Sequence, residues 1–228
     1  NIALNKGRVG ISRDSIKGDY NYAFIADYFS SESKSSNSKP MEVTVKSLDI
    51  DQVDITYDDY RKGYNEYGMD YDHLGFKNVV LHANEFESDG ESFAFNLEKL
   101  SAREKCGIVL HRLKARCLIG YRGILLSNVR INTSRSSVYA QRFNMRMTGL
   151  SDVRSFEDSV TFDAMIDSSE VSMVDVSYFA PALKGMYQKV YLRAGLHQKV
   201  KNLKINDIDL RTGERTILRG DLLLPDFN

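Results

Sequence analysis

Short segments of alternating apolar and polar residues, interrupted by a two-residue polar step, fill most of this chain. The clearest reads Leu48, Ile50, then Asp51-Gln52, then Val53, Ile55 and Tyr57. Two others are Phe95, Leu97, Glu98-Lys99, Leu100 and Leu203, Ile205, Asn206-Asp207, Ile208, Leu210. A period of two places one row of side chains on one face of a strand. An inserted pair reverses that phase, so the chain must turn back as a hairpin or carry a bulge. Overlapping or looser versions occur at Val43, Val45, Leu48, Ile50, at Leu74, Phe76, Val79, Leu81 and at Ile124, Leu126, Val129, Ile131. With 42% apolar residues, a strict match is expected by chance on the order of once. The pattern predicts a mainly β fold: an antiparallel meander with one apolar face, curled into a groove or half-barrel, with one or two short helices.

Composition narrows the function. Lys plus Arg and Asp plus Glu both number 31, so no net field favours nucleic acid or an anionic membrane. Tyr and Phe are plentiful and Pro scarce, as strands joined by Asn, Asp and Gly turns require. Cys106 and Cys117 fit no metal spacing and read as two buried free thiols. No stretch is apolar and long enough to span a bilayer, and no signal peptide opens the chain. The start at Asn1, already in strand-like sequence, suggests one module, residues 1–228, of a longer polypeptide.

Along the chain, residues 1–18 read as one or two short strands with turns at Lys6-Gly7 and Lys17-Gly18. Residues 20–30 space Tyr22, Phe24, Ile25, Tyr28 and Phe29 as a short helix, with Asp19 as N-cap, packed on the sheet rather than on a membrane. A mobile polar loop is expected at about 30–40. A hairpin turning near Asp51-Gln52, a Tyr/Asp-rich loop over 57–71 and strands from 74 to 147 follow. Beyond a loop at 152–155 come a strand over 160–166, another near Val171, and a helical turn over 175–185 capped by Asp175 and stopped by Gly185. Three strands near 188–200, 202–210 and 215–224 finish the chain.

Catalytic signatures do not emerge. His73, His82, His111 and His197 stand apart, and no phosphate-binding loop or nucleophile elbow appears. Asp49, Asp51, Asp54, Asp58, Asp59, Asp70 and Asp72 draw no calcium loop and read as solvated strand faces and strand ends. The alternating stretch His111-Arg112-Leu113-Lys114-Ala115-Arg116 reads as a polar strand face, with a contact to lipid phosphate or nucleic acid as the sharper alternative. The chain is therefore expected not to be an enzyme and to need no cofactor or metal.

Several segments in one order resemble a known family. The run from Asn21-Tyr22, within "DYNYAFIADYFSSESK", resembles the Phe-rich helix and Ser/Lys loop of AsmA-like repeats. "LDIDQVDITYDD" resembles the strands that follow, and "YDHLGFKNVVLHANEF" the next pair. "VSYFAPALKGM" and the later "LRGDLLLPDF" resemble the end of that module in large TamB proteins of the Bacteroidetes type. The resemblance implies a periplasmic segment of an inner-membrane-tethered translocation and assembly module that bridges to the outer membrane. It further implies roles in phospholipid transport and outer-membrane biogenesis, with an outer-membrane assembly partner met through other regions. No catalytic residues come with it.

A sheet with one apolar face needs a cover: a helix, a second sheet, barrel closure or an apolar ligand. Two short helices cannot cover it, which favours an open groove holding phospholipid acyl chains. The alternatives are a scaffold or protein-binding domain with a filled core and, more remotely, a carbohydrate-active enzyme. The groove candidates are Val43, Val45, Leu48, Ile50, Val53, Ile55, Leu74, Phe76, Val79, Leu81, Phe95, Leu97, Ile124, Leu126, Val129, Ile131, Leu203, Ile205, Ile208 and Leu210. Their neighbours Lys46, Asp49 and Asp54 are expected to face water, and a charge at Val129 to block loading without unfolding an open groove. The flanking β repeats of the same chain are the expected edge-to-edge partners.

Overall fold

A computed structural model describes residues 1–22, 45–88, 92–147, 160–199 and 202–225. Among the described residues, eleven strands form one sheet in which spatial order equals sequence order. They are β1 (Ile2–Arg13), β2 (Ser47–Asp59), β3 (His73–Ser88), β4 (Ser92–Glu104), β5 (Val109–Gly120), β6 (Gly123–Thr133), β7 (Ser137–Arg146), β8 (Thr161–Ser172), β9 (Lys189–Lys199), β10 (Asn202–Thr212) and β11 (Thr216–Pro225). One five-residue helix, α1 (Met173–Ser177), and a 3-10 turn (Pro181–Leu183) link β8 to β9. The sheet is not closed, so β1 and β11 are its edges. All neighbours pair antiparallel except β1 and β2, which run parallel, so the meander expected from sequence begins at β2. A parallel pair requires a crossover connection, here residues 14–46.

The two-residue polar steps are bulges within long strands. Asp51-Gln52 makes no hairpin: β2 runs straight through, and Gln52 takes φ 53°. The pairs Ile50↔Leu81 and Val53↔Val79 match three residue steps on β2 with two on β3. One extra residue is thus absorbed, which keeps Ile50 and Val53 on the same face despite their odd spacing. Lys6 does the same in β1 with φ 52°, so residues 2–13 are one strand with no turn at Lys6-Gly7. Ser168 does it in β8, so the expected break between 166 and 171 lies inside a single strand. Asn78, Asn128 and Asp207 are left-handed at the corresponding steps of β3, β6 and β10.

Gly7, after Lys6 on the edge strand, is exposed, whereas the residue following each of the other left-handed positions named is buried: Val53, Val79, Val129, Ser169 and Ile208. Together with Ala83, Leu97, Ala115, Cys117, Ala140, Ala164 and Ala194 they draw a line of mostly small, buried side chains across the strands. Bulges bend a strand and increase its twist. Bulges stacked strand after strand therefore bend the whole sheet along one line, and small residues let that crease close tightly. This is what curls a single sheet without a second layer.

The helix expected over 20–30 lies outside the described residues from 23 onward, as do the polar loop at 30–40 and the loop at 152–155; Tyr20 makes a bridge to Arg13, and residues 21–22 form a turn. Asp175 does not cap the later helix. It lies within α1, whose N-cap is Ser172. The three final strands fall where the sequence places them, and a turn at Gly213 joins the last two.

Candidate functional site: an apolar groove with a roofed end

Cross-strand partners share a face, so the register traces each face of the sheet. On one face run Leu4↔Ile50, Ile50↔Leu81, Leu81↔Leu100, Leu100↔Leu113 and Leu113↔Ile131. The row continues as Ile131↔Val138, then Ile166↔Ala194, Leu210↔Leu192 and Leu210↔Leu218. One apolar surface therefore extends from edge to edge. Of the predicted groove residues, Val53, Val79, Leu97, Val129 and Ile208 are buried at the crease. Leu48, Ile50, Ile55, Leu74, Phe76, Leu81, Phe95, Ile124, Leu126, Ile131, Ile205 and Leu210 are half-buried, so their outer parts remain accessible. Val45 precedes β2 rather than belonging to it, Leu203 is placed by its backbone pairing alone, and Val43 lies outside the described residues. Lys46 is exposed as expected; Asp49 and Asp54 are half-exposed, and Asp49 accepts a hydrogen bond from His82 at 2.9 Å.

Toward the end where β2, β4, β6 and β8 finish, the groove holds a cavity of about 540 Å³. Its wall takes Ile55 from β2, Phe76 from β3, Leu100 from β4, Leu113 from β5, Ile131 from β6, Val138 from β7 and Val171 from β8. Laid flat, β2 and β8 would stand about 29 Å apart at ~4.8 Å per strand, so only a strongly curled sheet brings them to one cavity. Met69 from the β2–β3 loop and Val176 and Phe179 from the β8–β9 connection complete the lining as a roof. Four predicted groove residues (Ile55, Phe76, Val79 and Ile131) line this cavity. The roof and the β5 contribution were not foreseen. The His111–Arg116 stretch, read as a polar face, carries Leu113 into the wall.

The roof is pinned by polar contacts between segments far apart in sequence. The Met69 amide donates to the Tyr178 carbonyl at 2.6 Å, Tyr67 and Ser177 share a hydroxyl hydrogen bond at 2.6 Å, and Lys184 lies over the Tyr67 ring. Gly68 adopts φ +84°, and a Cβ there would come 2.7 Å from the Tyr178 carbonyl oxygen. Gly68→Ala is expected to cost about 1–3 kcal/mol, and to unpin the roof first. Faster amide exchange at Met69 than in the strands, with a lowered denaturation midpoint, would show it; unchanged exchange would rule out the pin.

The strand ends beside the roof carry buried polar groups, among them Asp59 and Asp70, which the sequence reading placed in solvent. Asp59, at 3% exposure, accepts a two-pronged contact from Arg61 and lies 3.8 Å from Arg13. Arg61's hydrogen bonds hold its carboxyl well below the usual carboxylate range. Buried Asp70 takes the Asn65 amide and lies 3.9 Å from Lys105. His73, fully buried, hydrogen-bonds Asp58 and the Lys62 carbonyl and stacks on Tyr64. Glu104 accepts the amides of Gly75 and Cys106. These contacts tie loops to strand ends. Burial, then the neighbouring Glu104, pushes the Cys106 thiol up to about 11. Both cysteines are free, Cys117 buried and Cys106 half-buried.

Among the described residues no three His, Cys, Asp or Glu side chains are grouped to hold a metal ion, and no helix is long and apolar enough to cross a membrane. No protein-family model matches the chain, and no curated protein or solved structure is detectably similar to it.

Proposed function

We propose that this chain is a non-enzymatic module that holds lipid acyl chains in its groove. The observation that carries the reading is the 540 Å³ cavity, bounded mainly by aliphatic and aromatic side chains contributed by seven consecutive strands and a roof. Its size falls within the ~300–1,000 Å³ of small-ligand sites. A scaffold with a filled core would close that space, since packed interiors leave few voids larger than a water molecule. The resemblance in sequence to TamB and AsmA-like proteins suits the same use: a periplasmic segment, tethered to the inner membrane elsewhere in its polypeptide, along which phospholipid passes between membranes.

Both edges support continuation of the groove into neighbouring β repeats. Ile2, Leu4 and Val9 on β1, and Leu218 and Leu222 on β11, are at least 40% exposed. Added strands would extend the backbone ladder and cover these side chains together.

Extraction of the purified protein, followed by mass spectrometry of the extract and of the intact complex, tests the proposal. Co-purified phospholipid, or uptake of it from vesicles, is expected. A protein that carries no acyl species and takes none up from vesicles would leave the scaffold reading in its place.

A further inference from the structure

At the roofed end the connections between strands set carboxylates inside and cations outside. The β2–β3 loop (60–72), the β4–β5 turn (105–108), the β6–β7 turn (134–136) and the β8–β9 connection (173–188) meet there. Met69 is bonded to Tyr178, Lys105 lies over the Tyr64 ring, and Arg135 pairs with Asp175. In the pairs Arg61–Asp59, Lys105–Asp70 and Arg135–Asp175 the cationic side chains are 34–42% exposed and the carboxylates only 4–7%. Lys62 and Lys184 are exposed and form no ion pair among the described residues, and Glu66 is the one exposed acid in these four connections. A chain of zero net charge thus turns five cations and one acid outward here. Beside them stand Tyr60, Tyr64, Tyr71, Phe179 and Tyr187, each more than half exposed.

We propose that this end of the sheet docks on the surface of a bilayer containing anionic lipid, the cations meeting lipid phosphates and the rings entering the headgroup layer. Tyrosine has an apolar body and a polar tip, which suits the boundary between headgroups and acyl chains. Lysine and arginine stems lie along that boundary while their charged heads reach phosphate. A single-stranded nucleic acid would need free ring faces on which to stack its bases. Here the Tyr64 ring already stacks on His73 and carries Lys105, and Tyr67 carries Lys184. Phe179 belongs both to this surface and to the cavity lining, so a bilayer held here lies against the groove. The docking itself needs no acyl binding: such a surface adsorbs whether or not the groove loads.

Sedimentation of the whole chain with sucrose-loaded vesicles tests this, using phosphatidylcholine alone or in equal parts with phosphatidylglycerol. The protein is expected to pellet with the anionic vesicles, to stay in solution with the neutral ones, and to be released by high salt. Lys62→Gln combined with Lys184→Gln should weaken the partition about thirtyfold, at about fivefold for each lysine near the surface. Lys46→Gln combined with Lys204→Gln removes the same charge toward the opposite strand ends and should leave the partition unchanged. Equal partition into neutral and anionic vesicles, or none into either, overturns the docking surface. So does a control pair that weakens partition as much as the first pair, or tighter binding of single-stranded RNA than of anionic vesicles. Lipid found in the unpelleted protein without adsorption overturns the docking and leaves the acyl groove standing. The comparison of the two vesicles with the unmodified protein is decisive even if a variant folds poorly.

Discussion

Leu113→Glu is expected to leave the protein folded and empty, whereas Val129→Glu should unfold it. Leu113 is half-buried on the cavity wall, where a new carboxylate can be hydrated by water entering the space vacated by lipid. A charge there removes the apolar bed and should abolish acyl uptake with a small change in melting temperature. Val129 is only 3% exposed and sits at the crease in the cluster of Ala115, Cys117, Ala140 and Leu97, away from the cavity lining. The sequence alone makes Val129 a probe of loading; its position makes it a probe of folding instead. A carboxylate buried there without a partner costs several kcal/mol, a large part of the ~5–15 kcal/mol that holds a domain together. Melting curves and extracted-lipid assays on both variants decide the matter. A Leu113→Glu protein that still loads lipid would remove the cavity from the mechanism, and one that unfolds would mean the cavity is part of a dry core.

The strand pattern was legible because burial on one face imposes a period of two, and Leu, Ile and Val occupy that face in β2, β3, β6 and β10. The bulges were legible as phase breaks where bulky residues flank the polar pair, as at Asp51-Gln52 and Asn206-Asp207. They were not legible where the crease row uses small or polar residues. In β8 the residue after the left-handed Ser168 is buried Ser169, and in β7 the pair Gln141-Arg142 follows buried Ala140. In β8 Ser169 stands where an apolar residue would mark the step, so β8 read as two strands; in β7 only the small Ala140 precedes the step directly, and that break went unseen. Hairpin and bulge also look alike in sequence, because both reverse the phase. What separates them is the turn chemistry: Gln52, Asn128 and Asp207 are not followed by Gly, the usual mark of a tight two-residue hairpin. The roof and the buried acids were illegible for another reason. Met69 and Asp175 come to one cavity, and Met69 to Tyr178, only once the sheet has curled, and no local pattern encodes that; Asp59 is buried by Arg61 and by Arg13 of the neighbouring β1, a pairing that the parallel register sets.

If stacked bulges set the curl, deleting one bulge residue should do more damage than almost any substitution. Removal of Asn128 from β6 brings Ser127 next to Val129 and shifts the phase of everything after it by one. Val129 and Ile131 then turn to the water-facing side, while Arg130 and Asn132 turn toward the groove. Exposing the two aliphatic side chains costs about 3–6 kcal/mol. Bringing Arg130 inside adds the desolvation of a charge with no partner there. The pairing Val129↔Ala140 and Ile131↔Val138 with β7 is lost as well, so slippage cannot restore both neighbours at once. The sum is of the order of the whole stability of a domain, and the deletion protein should not show a cooperative melt. Asn128→Gly is the matched control. It keeps the extra residue and accepts φ 54° without a Cβ penalty, so it should be neutral or slightly stabilising. A deletion variant that melts like the parent would mean the bulge is dispensable and the crease has another cause.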